Sequence, residues 1–292
     1  MEEIFNLGFL KRYLHWQIAG VSFVAPYLIY KNATTSKTLF EEIHTPDMWS
    51  ENFLELLQEN MIIWFSGLTT AYIVWLFVIT GRRDLKYNPE IPTPLFMLEE
   101  LVRNIGGIII LTGYQIALVK TGTVEHSSVM PSETSKVLWI ILMTHWLDFH
   151  FYVIHRILHD VPFLYRHVHR IHHKSYNTNP ISGISMHPVE HLIYFSSILL
   201  PCILPTPFWV ARLIGIGLVS GPLASHIGIE PFDHHHWTHH NEFNYNYGSS
   251  ELYDVLFGTD HNGYMKRIGD QKTKGDIKRA NDAKIQKKLA SE

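Results

Sequence analysis

The sequence is short of charge. Only 17% of its 292 residues are Asp, Glu, Lys or Arg, while 46% are hydrophobic. A soluble domain carries about 25% charged residues, so the deficit points to a membrane. Net charge is small as well: a formal charge of −3 and a pI near 6.7 leave no electrostatic footprint for nucleic acid. Cysteine is nearly absent, and Cys202 alone excludes an intrachain disulfide framework and a cysteine-based zinc site. The opening residues, MEEIFNLGFLKRYLHW, lack a basic stretch that runs into an apolar one and a small-residue cleavage site. No cleaved signal peptide is expected from them. Internal repeats and low-complexity segments are also missing.

Long apolar stretches are present instead, at about 15–30, 61–80, 104–119, 137–154, 189–205 and 207–223. A spanning helix needs about 17–25 largely apolar residues. The second and fourth stretches meet that length, and the first and third do so if extended. The last two are punctuated by proline and joined at Pro205-Thr206-Pro207, which reads as a hairpin that dips into or crosses the bilayer. The expected fold is an all-α integral membrane protein with about four spanning helices plus this hairpin. Basic residues at Lys11-Arg12, Arg82-Arg83 and along 266–288 mark the cytoplasmic side, and the acidic segment 31–60 marks the other. On that reading the sequon Asn32-Ala33-Thr34 is lumenal. Segments 155–187 and 224–264 then form a cytoplasmic, histidine-rich helical cap.

Histidine is the excess that stands out. There are twenty, of which all but His15, His44 and His126 lie between His145 and His261. His155 and His159 are four apart, a spacing that puts two ligands on one helical face. His169, His172 and His173 follow H-x-x-H-H, as do His236, His239 and His240. Eight imidazoles are too many for one ion, since a structural zinc takes four ligands and a catalytic zinc three. Two metals are therefore implied. Imidazole suits Zn, Cu, Fe and Ni, and the near absence of carboxylate and thiolate from the boxes disfavours Mg, Ca and iron–sulfur clusters. An all-nitrogen pair beside a bilayer fits iron that activates dioxygen; on spacing alone zinc and copper stay open. His187, in SMHPVEH, and His226, in LASHIGIE, join the candidate ligands, with a structural role as the alternative for each. Asp148 and Tyr152 share the stripe of His155 and are expected to hydrogen-bond the second nitrogens of ligand imidazoles. His150, His167, His191, His234 and His235 fall out of register with the boxes, and His145 lies deeper in a span.

These segments, DFHFYVIHRILH, LYRHVHRIHH, MHPVEH, HHHWTHHNEFNYNYG and YDVLFGTD, resemble the fatty acid hydroxylase and sterol desaturase superfamily of membrane-bound histidine-box oxidases. The likeness covers about 145–262 and is nearest to C-5 sterol desaturases and C-4 methylsterol oxidases. It implies two non-haem iron ions, held by His155, His159, His169, His172, His173, His236, His239 and His240. It implies O2-dependent hydroxylation, demethylation or desaturation of a membrane lipid, here expected to be a sterol, with a fatty-acyl or sphingolipid substrate as the alternative. Electrons would come from cytochrome b5 or a ferredoxin-type protein, and the membrane would be that of the endoplasmic reticulum or the bacterial inner membrane. The expected division is N-terminal membrane helices and loops over 1–135, a catalytic domain over 136–264 and a polar, basic tail over 265–292. Tyr253-Asp254-Val255 stands where the superfamily often has Trp-Asp-Arg, and Trp237 where it has a small or acidic residue. These departures bear on the substrate. Two rival readings are a zinc-dependent membrane hydrolase, with Glu190 as its acid or base, and a non-catalytic lipid- or metal-binding protein.

Overall fold

The computed structural model describes residues 49–88, 90–124, 132–229 and 234–262. The stretch over 15–30, the sequon, His44, His126 and the tail over 265–292 lie outside the described residues. Eight α-helices are described: α1 Phe53–Gly81, α2 Pro94–Lys120, α3 Glu133–Asp160, α4 Pro162–His167, α5 Pro188–Phe195, α6 Phe208–Ser225, α7 His234–Glu242 and α8 Glu251–Phe257. Short 3-10 segments occupy Arg83–Leu85, His169–Lys174, Pro180–Ile184 and Ser196–Cys202. No strand occurs among the described residues; Lys86 and Ile229 form an isolated antiparallel bridge.

Four helices, α1, α2, α3 and α6, are long and apolar enough to cross a membrane, with mean hydropathies of 2.0, 1.4, 1.5 and 1.4. Their starts are written locally. Asn52 caps α1 by accepting from Leu54 N. Thr93 caps α2, with Pro94 in its first turn, and Ser132 caps α3. At 1.5 Å per residue, α1 to α3 are each about 40 Å long, against a hydrocarbon core of about 30 Å. Their ends therefore project beyond the apolar layer, and the last turns of α3 carry His155 and His159 out with them. Large apolar side chains on α1 (Phe65, Ile73, Phe77), α2 (Leu98, Val102) and α3 (Val137, Leu138, Ile141) stay exposed. On helices of this length such faces belong against lipid.

The expected hairpin is unequal. Its first arm is the short α5 followed by the 3-10 segment Ser196–Cys202, with Pro201 inside it. Its second arm is the full helix α6, the most buried of the four candidate spans. α6 packs against α1 and the Pro180–Ile184 segment, while α2 packs against α5 and α1. Ile214, Val219 and Leu223 of α6 join Leu68, Ala71, Ile108 and Leu111 in one apolar core.

Buried polar pairs fix the helices laterally, as they do where hydrophobic driving force is weak. Asn60 donates to Thr112 and Gln115, and Arg212 pairs with Glu59 at 2.7 Å. Glu100 accepts from Ser175 and Asn179, and Asn104 donates to the Ile181 carbonyl. The last set pins residues 175–185, the link between two histidine-bearing segments, against α2.

Candidate metal centre

Nine imidazoles gather in two groups. His155, His159, His169, His173 and His239 form the first, and His172, His226, His236 and His240 the second. Within each group the candidate ligand atoms all lie within 4.8 Å of one another. Every member except His159 is buried. α3 supplies His155 and His159 from one face, as their spacing predicts. Each H-x-x-H-H box is divided: His169 and His173 go to the first group and His172 to the second, while α7 sends His239 to the first and His236 and His240 to the second. The sequence pattern implies that each triad converges on one face. In the fold, each triad instead bridges the two groups.

The hydrogen bonds decide which nitrogens are free. His155 Nδ1 lies 2.7 Å from the Tyr247 carbonyl, and His239 Nδ1 lies 2.7 Å from the Tyr245 carbonyl. A carbonyl only accepts, so both rings carry their proton on Nδ1 and a lone pair on Nε2. His172 Nδ1 faces the Ser185 carbonyl at 3.4 Å and is fixed in the same way. His226 Nδ1 meets Ser182 Oγ at 2.9 Å. That hydroxyl already donates to the Asn179 carbonyl, so the ring must donate and its Nε2 is free. These Nε2 atoms point at other Nε2 atoms: His155 to His169 at 3.1 Å, His239 to His173 at 3.2 Å and His226 to His236 at 2.9 Å. Nε2 lone pairs of His155 and His239 in the first group, and of His172 and His226 in the second, are thus open to a cation. Both groups fit a metal that takes neutral imidazole.

Two aspartates hold the loop that fixes these tautomers. Asp254 accepts from Tyr247 N, Gly248 N, Thr259 Oγ and His235 Nε2 at 2.6–3.1 Å. Asp148 accepts from Ser249 Oγ and from Ser250 N and Oγ. Asp148 therefore does not reach an imidazole as expected, and Tyr152 does not either: its hydroxyl meets Thr259 and Arg156. Their place beside the rings is taken by main-chain carbonyls. Glu190 supplies the carboxylate partner, with Oε1 2.6 Å from His169 Nδ1. His187 stands outside both groups. It is half-buried and caps α5 by accepting from Val189 N. His191 bonds the Ile184 carbonyl, His150 meets Ser196 Oγ and His235 meets Asp254.

Burial pushes the rings outside the spans far below the usual histidine value. His172 falls to about 4 and His239 to about 3, and His173, His226, His236 and His240 also fall well below it. Neighbouring imidazoles add to the effect for most of them. All stay neutral near pH 7, the state in which imidazole binds metal.

The pattern of the family described as Fatty acid hydroxylase matches residues 140–259. Those residues are similar to that family. An Arabidopsis thaliana protein named as a Delta(7)-sterol-C5(6)-desaturase is 26% identical over 74% of this chain and 81% of its own length. Fatty acid hydroxylase ahd1 of Mycosarcoma maydis is 31% identical over 60% of this chain and 45% of its own length. Human fatty acid hydroxylase domain-containing protein 2 is 34% identical over 38% of this chain and 34% of its own length. No solved structure matches.

Within the matched residues an apolar pocket meets the second imidazole group. It is a cavity of about 100 Å³ between α3, α5 and α6. Leu147 and Phe151 line it from α3, Gly217 and Leu218 from α6, and His172, His226 and His236 close one end. Leu147 to His155, or Gly217 to His226, is about 12–14 Å along a helix axis, so the pocket runs from the metal groups down into the span region. A second opening beside His159 is lined by Tyr165, Arg166, Phe243 and Asn244. Sequence reading missed the carbonyls of Tyr245 and Tyr247. Asn246 between them has a left-handed backbone, φ 59°, and Phe243 has φ 63°. The asparagine-rich run FNYNYG was the available sign of a tight turn there.

Proposed function

We propose that this chain is an O2-dependent lipid oxidase, a hydroxylase or desaturase with two iron ions and a sterol as its substrate. The observation that carries the reading is the pair of groups of converging imidazole lone pairs, set where an apolar pocket between membrane-length helices ends. The family match over residues 140–259 and the sterol desaturases among the relatives support the same chemistry. Two irons there would supply reductive activation of dioxygen and removal of hydrogen from an unactivated C–H bond.

The residues would divide the work. His155, His159, His169, His173 and His239 hold one metal, and His172, His226, His236 and His240 hold the other. Tyr245, Tyr247, Ser182 and Ser185 fix the rings through Nδ1, as partners of metal-bound histidine do. Glu190 Oε1 orients the His169 ring, which gives this carboxyl group a part in holding a ligand. The walls of the pocket align the lipid and exclude water. Electrons come from an external protein, cytochrome b5 or a ferredoxin, at the opening beside half-buried His159.

Purified, active protein should hold two irons per chain and consume O2 only with lipid and a reductant. His172→Ala and His239→Ala should each lose metal and at least about 100-fold in turnover, while the protein stays in the membrane. One metal per chain in active protein, or full activity in His172→Ala, would sink the proposal. The histidine-bearing ends face the cytoplasm in a membrane of the endoplasmic reticulum or bacterial inner-membrane type. A cysteine replacing exposed Tyr176 should be labelled from that side; labelling from the other side reverses the orientation.

A further inference from the structure

The pocket is lined for hydrocarbon, yet two hydroxyls in its wall have no partner. Tyr194 OH and Ser197 Oγ are buried without a hydrogen bond, and the two residues are 5% and 1% exposed. The other polar side chains of the wall are engaged. His150 meets Ser196 Oγ, Ser225 donates to the Pro222 carbonyl, and Ser249 donates to Asp148. His172, His226 and His236 belong to the second imidazole group. Tyr194 and Ser197 lie three residues apart, where α5 passes into the Ser196–Cys202 segment, and both border the cavity. Phe151 stacks on the Tyr194 ring at 4.9 Å, and that ring lies 6.2 Å from His155. The unpartnered phenol thus sits beside the metal groups, at the reacting end of the pocket.

A buried hydroxyl without a partner is destabilising, and each such case calls for a group that satisfies it. A pocket meant only for hydrocarbon would be better served by Phe at 194 and Ala at 197. We infer that Tyr194 and Ser197 recognise an oxygen carried by the ligand, so that the pocket takes a lipid with a hydroxyl or carbonyl in its body rather than a plain alkyl chain. The inference deepens the lipid-oxidase reading by naming the substrate's chemistry, and it makes Tyr194 and Ser197 positioning residues. Tyr194 donates to the ligand oxygen, and Ser197 donates to it or accepts from a ligand hydroxyl.

The test uses purified full-length protein in micelles and two pairs of probes that differ by one oxygen. One pair is cholesterol and its 3-deoxy analogue; the other is 12-hydroxystearate and stearate. Equilibrium retention of each labelled lipid is measured for the wild type and for the double variant Tyr194→Phe/Ser197→Ala. In at least one pair the oxygen-bearing member should be held about tenfold more tightly by the wild type, the worth of one to two net hydrogen bonds. The double variant should lose that preference, keep its affinity for the member that lacks the extra oxygen, and melt at the same or a higher temperature. Equal retention in both pairs overturns the inference, as does a preference that survives in the double variant. A lower Tm in the variant overturns it too, because the hydroxyls would then serve the fold. Retention requires neither metal nor turnover, so failure of the oxidase reading leaves this result standing, and the reverse also holds.

Discussion

Asp254 satisfies four donors with two oxygens, and the loop it ties carries the carbonyls that orient His155 and His239. An asparagine would keep the shape but offer one acceptor oxygen in place of two. Buried donors left without partners cost about 1–3 kcal/mol. Asp254→Asn should therefore lower the Tm and reduce the metal content from two per chain toward one, since only the first group depends on those carbonyls. Calorimetry and metal analysis of one preparation check both; unchanged metal would show that the loop does not position the rings. His187 and His226 form a sharper contrast. His226 is buried at Nε2···Nε2 contact with His236, whereas His187 caps α5. Removing the cap should cost about 1 kcal/mol and leave metal in place. His226→Ala should remove metal from the second group.

At the scale of elements, α6 sets the width of the pocket through its glycines. A Cβ at Gly217 would meet only Leu147 Cδ1, at 3.8 Å. A Cβ at Gly183 would lie 2.3 Å from the Pro222 carbonyl oxygen, because the Pro180–Ile184 segment presses its backbone onto α6. Gly217→Ala should fold normally, and Gly217→Leu should fold but lose activity on rigid, wide lipids before flexible chains, read as kcat/KM on each. Gly183→Ala should cost about 1–3 kcal/mol by overpacking. Equal activity of Gly217→Leu on both kinds of lipid would place the substrate elsewhere. The long helices were legible because length and apolar composition suffice for them. α1 and α2 begin well before the apolar stretches at 61–80 and 104–119, since their caps at Asn52 and Thr93 start them ahead of mixed segments that carry Glu55, Glu59, Glu99, Glu100 and Arg103. The unequal hairpin was not legible: both arms are apolar, and which one forms a full helix depends on burial against α1 and α2.

In the molecule as a whole, the two groups gather imidazoles from α3, from the 169–174 segment, from the end of α6 and from α7. The sequence displayed nearly all of these histidines, and spacing placed His155 with His159. It did not display the sorting into five and four, which arises from how α7 and the 169–174 segment pass between the groups. Nor did spacing separate His226 from His187, since one bonds Ser182 and the other its own helix end. Gathering so many bases in a dry interior couples folding to pH. In the metal-free chain, His172 and His239 take up protons only near pH 4 and pH 3, whereas an unfolded chain does so near 6.5. The folded pKa values are depressed, so this stability is fully present above about pH 6.5. It is lost as pH falls below that value, because the unfolded chain then binds protons that the folded chain refuses. Each such histidine contributes a slope of up to about 1.4 kcal/mol per pH unit. Protein stripped by a chelator should therefore show a Tm that is flat from pH 8 to about 7 and falls steeply from 6.5 toward 4. With metal restored, the fall should begin at the lower pH where protons displace the ion, and the His172→Ala/His239→Ala variant should fall less steeply than the stripped wild type. A stripped protein whose Tm stays level from pH 7 to pH 4.5 would mean that the rings are charged or solvated in the folded chain, which would remove the neutral donor set on which both metal groups rest.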